Sequence, residues 1–218
     1  MNWLRNRGSR FFIRIGGFLF LIGATAFAIA YFTTDVPDPN EYVNSQATVI
    51  QYANGDEIGR IGAQNRTIIP LAKIPLDLRH AVLAAEDKGF YSQGAFNPLA
   101  IVRGAINTAL GRGLQGGSTI TQQYAKTAFL TPDRTIRRKI TELIIAIKLE
   151  NQLSKDQIFE NYLNTIYFGR GAYGVETGAQ VYFGRSADQL TVPQAAVLAS
   201  ILRSPGYYDP DYREGNKA

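Results

Sequence analysis

The chain lacks cysteine and carries a single histidine, His80. Without cysteine it can form no disulfide framework, no thiolate-ligated zinc site, no iron–sulfur cluster and no thiol nucleophile. One histidine also excludes zinc motifs that need two, such as H-E-x-x-H. Any catalysis must therefore depend on carboxylates, hydroxyls, amides and cations.

The charge of the chain is unevenly distributed. It has 23 Lys+Arg against 18 Asp+Glu, a formal net charge of +5, and a pI near 9.4. Residues 1–14 contain four arginines and no acid, and residues 126–139 contain five cations and one acid. The rest of the chain has 14 bases and 17 acids. Because the basicity is local, the sequence predicts no general polyanion-binding surface and no nucleic-acid partner.

Residues 15–32 form an uncharged run of eighteen residues, IGGFLFLIGATAFAIAYF. As a helix this run would extend about 27 Å, close to the bilayer hydrocarbon thickness of about 30 Å. A secretory signal peptide is the alternative, but its apolar core is typically shorter and ends at a small-x-small site, whereas this run ends in Tyr31-Phe32. We therefore predict an uncleaved transmembrane helix. The arginines before it and the acids after it predict a cytoplasmic basic tail at 1–14 and an extracytoplasmic body.

The remaining chain is predicted to be mostly α-helical with one small β-hairpin. A linker at 33–46 precedes a hairpin at 47–62, where two apolar runs flank Asn54-Gly55-Asp56. Apolar residues at three- and four-residue spacings then predict helices over 77–85, 98–110, 137–153, 155–164 and 192–203. The last two helices begin with capping-box sequences, at Ser154 and Thr191. The polar residues 209–218 are typical of the start of a linker or tail.

Two features could carry chemistry. Glu86-Asp87 lie between an apolar helical run and Phe90-Tyr91, where partial desolvation favours a general base, although a solvated helix end is the alternative. A glycine-rich loop at 111–117 leads into Ser118 and the following hydroxyls and amides, a pattern that suits an anion at a helix N-terminus but also an ordinary cap. With the cations of 126–139 close by, a diphosphate is the ligand that we expect.

Five ordered segments over about residues 47–210 resemble the peptidoglycan glycosyltransferase domain of class A penicillin-binding proteins and monofunctional murein polymerases. They are Glu86-Asp87-Lys-Gly-Phe90, Gly117-Ser-Thr-Ile-Thr-Gln-Gln123 with Lys126, Arg138-Lys139-Ile-Thr-Glu142, Ile158-Phe-Glu-Asn-Tyr-Leu-Asn164 with its continuation to Arg185, and Leu190 to Ala199. The resemblance implies a lysozyme-like domain at 47–208. It also implies an inverting transferase that joins lipid II units into β-1,4 glycan strands and releases undecaprenyl diphosphate in bacterial cell-wall synthesis.

The resemblance also implies roles for individual residues. Glu86 would be the general base, and Glu142 would assist at the diphosphate, either directly or by ordering the basic groups near it. The substrate and its diphosphate would be bound by Ser118, Thr119, Thr121, Gln122, Gln123, Lys126, Arg134 and Arg138. Asp87, Phe90 and Gln93 would support the site. Gln93 stands where many family members have histidine, so this position can form hydrogen bonds but cannot carry a proton near neutrality.

The expected cofactors and partners follow from the same resemblance. No cofactor is obligatory and no metal ligand is certain, with Mg²⁺ or Mn²⁺ as an option. The partners are lipid II, the lipid-linked glycan chain, the bacterial cytoplasmic membrane and other cell-wall synthesis proteins. No Ser-x-x-Lys sequence occurs in the chain, so no transpeptidase activity is expected from it. A lytic or hydrolytic enzyme on peptidoglycan and a non-catalytic scaffold for wall synthesis are the alternatives.

Overall fold

The computed structural model describes residues 7–36, 48–54, 57–61, 67–97, 110, 117–131, 133 and 135–210. The chain divides into two compact units, Met1–Asp35 and Val36–Ala218. The described part is mostly helical, as the sequence predicts. The domain limits proposed from the sequence, at 33–46, 47–208 and 209–218, stay predictions.

The first unit consists of helix α1, Arg7–Thr33. Within it, Ile13–Thr33 is long and apolar enough to cross a membrane, and large apolar side chains such as Phe20 and Leu21 are exposed along it. The helix begins before the predicted span of 15–32, because the arginine-rich residues ahead of that span have no helix-breaking proline and continue the same helix.

The second unit begins with the predicted hairpin. Strand β1, Thr48–Gln51, pairs antiparallel with β2, Glu57–Ile61, so that Thr48 lies opposite Ile61. The pairing is irregular between Ile50 and Gln51. This confirms the hairpin that the asparagine–glycine turn indicates.

Six helices follow in the described part of the second unit. They are α2 (Leu76–Glu86), α3 (Ile120–Phe129), α4 (Ile136–Gln152), α5 (Lys155–Thr165), α6 (Val175–Phe183) and α7 (Val192–Arg203). Short 3₁₀ turns lie at Leu71–Lys73 and Ala187–Gln189. Both predicted capping boxes form: the Ser154 and Thr191 hydroxyls each accept the N3 backbone N–H, and their own backbone N–H groups donate to Oε1 of the N3 glutamine. The helix predicted over 98–110 lies outside the described residues, apart from 110.

The core of the second unit forms where α2 packs against α7, and where α3 packs against α4 and α5. The largest wholly buried side chains include Tyr124, Tyr162, Phe90 and Phe159. The Phe90 and Phe159 rings lie 5.7 Å apart, and Phe159 stacks on Tyr162 at 6.4 Å between ring centroids. These contacts fix the loop after α2 and helix α5 beside one another, which places the residues of the candidate site.

A second, smaller hairpin was not predicted from the sequence. Strand β3, Tyr167–Gly169, pairs with β4, Ala172–Tyr173, around Arg170 and Gly171, both of which have positive φ. Strands of three and two residues are too short to show an alternating pattern. The hairpin is instead held by tertiary contacts, such as the bond from the Tyr182 hydroxyl to the Phe168 carbonyl at 2.8 Å.

Asn164 connects this region to the chain before α2. Its side chain accepts a hydrogen bond from the Ile69 N–H at 2.9 Å and donates to the Ile69 carbonyl at 2.8 Å. Gly174 has φ +81°, and a Cβ added there would lie 2.7 Å from the Asn164 carbonyl oxygen. The close approach therefore requires glycine.

We expect Gly174→Ala to lower the free energy of unfolding by about 3 kcal/mol, because it combines left-handed strain with a backbone clash. The matched control is Gly171→Ala, where φ is +73° and no atom lies within 4 Å of the added Cβ. It should cost only about 1 kcal/mol. Urea denaturation of the full chain in detergent measures both, and equal losses would contradict this account of Gly174.

Candidate active site

Glu86 is the last residue of α2, and its Oε2 atom accepts a hydrogen bond from Gln123 Nε2 at 2.8 Å. The side chain is half-buried. The last turn of α2 contains no basic residue, and a helix C-terminus carries a partial negative charge. The hydrogen-bond donor that Glu86 has among the described residues therefore comes from another helix, at Gln123.

Asp87 joins the end of α2 to the start of α3. Its Oδ2 atom accepts a hydrogen bond from the Ile120 N–H at 3.1 Å, and its Oδ1 atom accepts one from Gln93 Nε2. Burial raises the pKa of Asp87, although these bonds and the charge of Lys155 oppose the shift. The contacts are all internal, which fits the predicted supporting role.

Gln93 continues the same network. Its Oε1 atom accepts a hydrogen bond from Asn97 Nδ2 at 2.6 Å, and its backbone carbonyl accepts one from Lys155 Nζ at 2.7 Å. The Lys155 ammonium also lies 4.5 Å from the centroid of the Phe90 ring and forms an ion pair with Glu150 at 2.7 Å. The glutamine thus fixes the loop after Asp87 through hydrogen bonds that do not require the side chain at position 93 to titrate.

The first turn of α3 holds the hydroxyls that the sequence associates with an anion. Thr119 is the N-cap: its Oγ1 atom accepts the Gln122 N–H at 3.2 Å and donates to the Ala95 carbonyl at 2.9 Å. The Thr121 hydroxyl donates to Glu150. Thr119, Thr121 and Gln122 are all buried, whereas Ser118 is half-buried and its hydroxyl receives Lys139 Nζ at 3.0 Å. Ser118 is therefore the hydroxyl in this turn that lies beside a cation.

Glu142 is 1% exposed and binds two cations from its own helix. Arg138 donates to Oε2 at 2.8 Å, and Lys139 Nζ donates to Oε1. Arg138 Nε is buried and has no hydrogen-bond partner among the described residues. Both oxygens of Glu142 are thus engaged, and its charge offsets part of the charge of Arg138 and of Lys139, the cation that binds Ser118.

Lys126 lies in the last turn of α3 and is exposed. It is three residues after Gln123, which places the two side chains on the same face of the helix. Arg134, the other predicted diphosphate ligand, lies outside the described residues. Within the described ranges, no group of three or more His, Asp and Glu residues could hold a metal ion.

Comparison with known proteins identifies the family. A family profile described as Transglycosylase matches residues 54–218. Penicillin-binding protein 1A of Aquifex aeolicus (strain VF5) is 45% identical over 195 residues, which are 88% of this chain and 27% of the relative. Penicillin-binding protein 1F of Bacillus subtilis (strain 168) is 40% identical over 194 residues, which are 88% of this chain and 27% of the relative.

The chain belongs to the transglycosylase family. This confirms the resemblance on which the sequence-based site prediction depends. The chain spans about a quarter of the length of these penicillin-binding proteins.

The structure brings the predicted residues of this transglycosylase together in two groups. Glu86 meets Gln123, and Glu142 with Arg138 meets Ser118 through Lys139. The roles of Thr119, Thr121 and Gln122 as direct substrate ligands stay predictions, which their burial does not favour.

Two further residues join these groups but were not assigned to the site from the sequence. Lys139 could have been found from its place beside Arg138 in the third motif. Tyr162, whose hydroxyl lies 3.4 Å from Gln123 Oε1, belongs to the fourth family segment, but that segment alone does not indicate a contact with Gln123.

We expect Glu142→Gln to lower the free energy of unfolding by about 2 kcal/mol, because it leaves Arg138 and Lys139 without their counter-charge. The loss is limited because solvent partly screens Lys139. The control is Glu176→Gln, a buried carboxylate that accepts hydrogen bonds from neutral groups, including the Ala187 N–H at 2.8 Å. Its amide can keep that bond, so the loss should be about 1 kcal/mol. Urea denaturation measures both. A Glu142→Gln loss no larger than that of the control would show that the ion pairs contribute nothing to stability.

Proposed function

We propose that this chain is a peptidoglycan glycosyltransferase that polymerises lipid II into β-1,4 glycan strands and releases undecaprenyl diphosphate. The family supplies the reaction class. The observation that carries the proposal is the contrast between two carboxylates near the start of α3: Glu86 meets a neutral amide, whereas Glu142 is neutralised by Arg138 and Lys139. One group can accept a proton, and the other organises positive charge.

Glu86 would act on the acceptor. In the reaction, the acceptor 4-hydroxyl attacks the anomeric carbon of the donor while its proton passes to Glu86. In the described part of the chain, Glu86 Oε2 binds Gln123 and Oε1 accepts no hydrogen bond, so Oε1 is available to that proton. General base catalysis of this kind contributes about 10²–10⁴-fold in rate.

The basic groups would act on the leaving group. As the bond from the anomeric carbon to the diphosphate oxygen breaks, negative charge develops on the diphosphate, and fixed donors stabilise it. Ser118 and Lys139, which are hydrogen-bonded to each other, would supply such donors, and Arg138 has a buried Nε without a partner among the described residues. Lys126 is assigned to this group by the family motif and by its exposure. Arg134 is assigned to this group by the family motif alone.

Glu142 would order these cations instead of transferring a proton. Both of its oxygens already bind cations, so it does not resemble an acid or base that waits for substrate. The same saturation makes it a poor ligand for Mg²⁺ or Mn²⁺. We therefore derive no step through a metal and treat a divalent cation as optional.

The proposed setting is the outer face of the bacterial cytoplasmic membrane. Helix α1 would cross the bilayer once, with the arginine-rich N-terminus in the cytoplasm and the second unit outside. Lipid II and the growing lipid-linked glycan chain are held at the same surface, so tethering would keep enzyme and substrate together. Other cell-wall synthesis proteins would be its partners.

We expect the full chain to polymerise labelled lipid II, and Glu86→Gln to lower kcat by at least about 100-fold, because an amide cannot accept the proton. The matched control is Glu160→Gln, another half-buried glutamate that accepts one neutral N–H, from Leu71 at 2.6 Å. Polymer is measured by gel electrophoresis, and folding by circular dichroism. Short muropeptides from preformed peptidoglycan, without polymer from lipid II, would replace the proposal with a lytic function. Full activity of Glu86→Gln would remove Glu86 from the mechanism.

We expect Lys126→Ala to weaken binding of a phosphoglycolipid inhibitor by about tenfold, because one charge-assisted contact to phosphate is lost. Lys73→Ala is the control. This exposed lysine lies just before α2, whereas Glu86 ends that helix, which is about 16 Å long. Titration by fluorescence anisotropy measures both affinities. An unchanged affinity for Lys126→Ala would contradict the assignment of Lys126 to the diphosphate.

A further inference from the structure

Gln123 contacts Glu86 on one side and Tyr162 on the other. Its Nε2 atom donates to Glu86 Oε2 at 2.8 Å. Its Oε1 atom faces the Tyr162 hydroxyl at 3.4 Å, a longer and weaker contact than the usual O–H···O bond of about 2.5–3.0 Å. The three residues come from α3, α2 and α5. They form a chain of hydrogen bonds that ends on the proposed general base.

Tyr162 is held rigidly in the core. Its side chain has no exposed surface, and its ring stacks on Phe159 with 12° between the ring planes. Burial, together with the negative charges of Glu86 and Asp87, raises the pKa of Tyr162 well above its ordinary value. The phenol therefore stays protonated near neutral pH and remains a hydrogen-bond donor.

The two neighbours of the Gln123 amide together set its orientation. An amide can present either its oxygen or its NH₂ group to a neighbour, and the two arrangements are otherwise nearly equivalent in shape. An ionised carboxylate only accepts hydrogen bonds, so the NH₂ group faces Glu86, and the amide oxygen is left to receive the Tyr162 hydroxyl. The contact with Tyr162 then holds the amide in the orientation that gives Glu86 a donor.

This donor matters because the other groups described close to Glu86 are electronegative. Glu86 lies at the negative end of α2 and next to Asp87, which also carries a carboxylate. Lys155 and the Ile120 N–H act on Asp87, not on Glu86. Among the described residues, Glu86 receives its hydrogen bond from the Gln123 amide.

We propose that Tyr162 and Gln123 are positioning residues that hold Glu86 with Oε2 engaged and Oε1 directed to the acceptor hydroxyl. Gln123 thereby acts on the proposed base, a different role from the diphosphate ligand that the sequence suggests. The inference rests on the proposed function for its kinetic consequence. The contact itself can be tested without substrate.

The kinetic test is a double-mutant cycle on the full chain with lipid II. Gln123→Ala should lower kcat by about tenfold with little change in KM, and should move the acid limb of the pH–kcat profile to higher pH, because the charged carboxylate loses a donor. Tyr162→Phe should lower kcat by about threefold. The double variant should be no slower than Gln123→Ala alone, because Tyr162 acts only through Gln123.

Tyr124→Phe is the matched control, since Tyr124 is a buried tyrosine on α3 that packs against Phe129. It should lower stability without moving the acid limb. The inference would be overturned if the losses of kcat multiply in the double variant, or if Gln123→Ala leaves the acid limb of the pH–kcat profile unchanged. Polymerisation of lipid II by the wild-type chain would still support the proposed function in either case.

A substrate-free measurement separates the two proposals. The carboxyl ¹³C resonance of Glu86 can be followed by NMR of the selectively labelled full chain, assigned with Glu86→Gln. Gln123→Ala should shift this resonance, because the carboxylate loses its hydrogen-bond donor, and Tyr162→Phe should shift it by less. This result would support the positioning role even if lipid II were not the substrate. An unchanged Glu86 resonance in Gln123→Ala would refute it.

Discussion

The end of α2 and the start of α3 are joined by the buried carboxylate of Asp87, which accepts the Ile120 N–H and the Gln93 amide. One partner begins α3 and the other lies in the loop that follows α2, so Asp87 connects both segments to the end of α2. The bond to Ile120 places Gln123, one turn further along α3, against Glu86. The bond to Gln93 fixes the loop whose Phe90 ring packs on α5. The geometry of the proposed base therefore depends on its neighbour in sequence.

The site divides charge between two places along α3. Glu86 contacts only neutral groups in the described part of the chain, directly the Gln123 amide and through it the Tyr162 phenol. Its carboxylate therefore keeps its negative charge, and its Oε1 atom accepts no hydrogen bond from the described residues. At Ser118, the ammonium of Lys139 binds the hydroxyl, and the nearly inaccessible Glu142 holds Lys139 together with Arg138. A reaction that moves a proton from an acceptor and stabilises a departing diphosphate needs this separation. Merging the two groups would pair the base with a cation and lower its affinity for a proton.

Features set by local sequence could be predicted, and features set by tertiary packing could not. The hairpin at Asn54-Gly55 and the capping boxes at Ser154 and Thr191 depend on residues within a few positions of one another, and the structure confirms them. The bond from Tyr162 to Gln123 joins residues 39 positions apart, and no spacing rule relates them. The burial of Thr119 and Thr121 likewise follows from contacts with Ala95 and Glu150, which their motif does not contain.

The central claim is that the two carboxylates act on opposite sides of the bond that breaks. A crystal structure of the full chain with a non-reactive lipid-diphosphate glycan donor tests it most directly. The account predicts the diphosphate oxygens within hydrogen-bond distance of the Ser118 hydroxyl and the Lys139 ammonium, with no phosphate on Glu86. Glu86 Oε1 should lie on the acceptor side of the anomeric carbon. A diphosphate seated against Glu86, with Ser118 and Lys139 unengaged, would contradict the account.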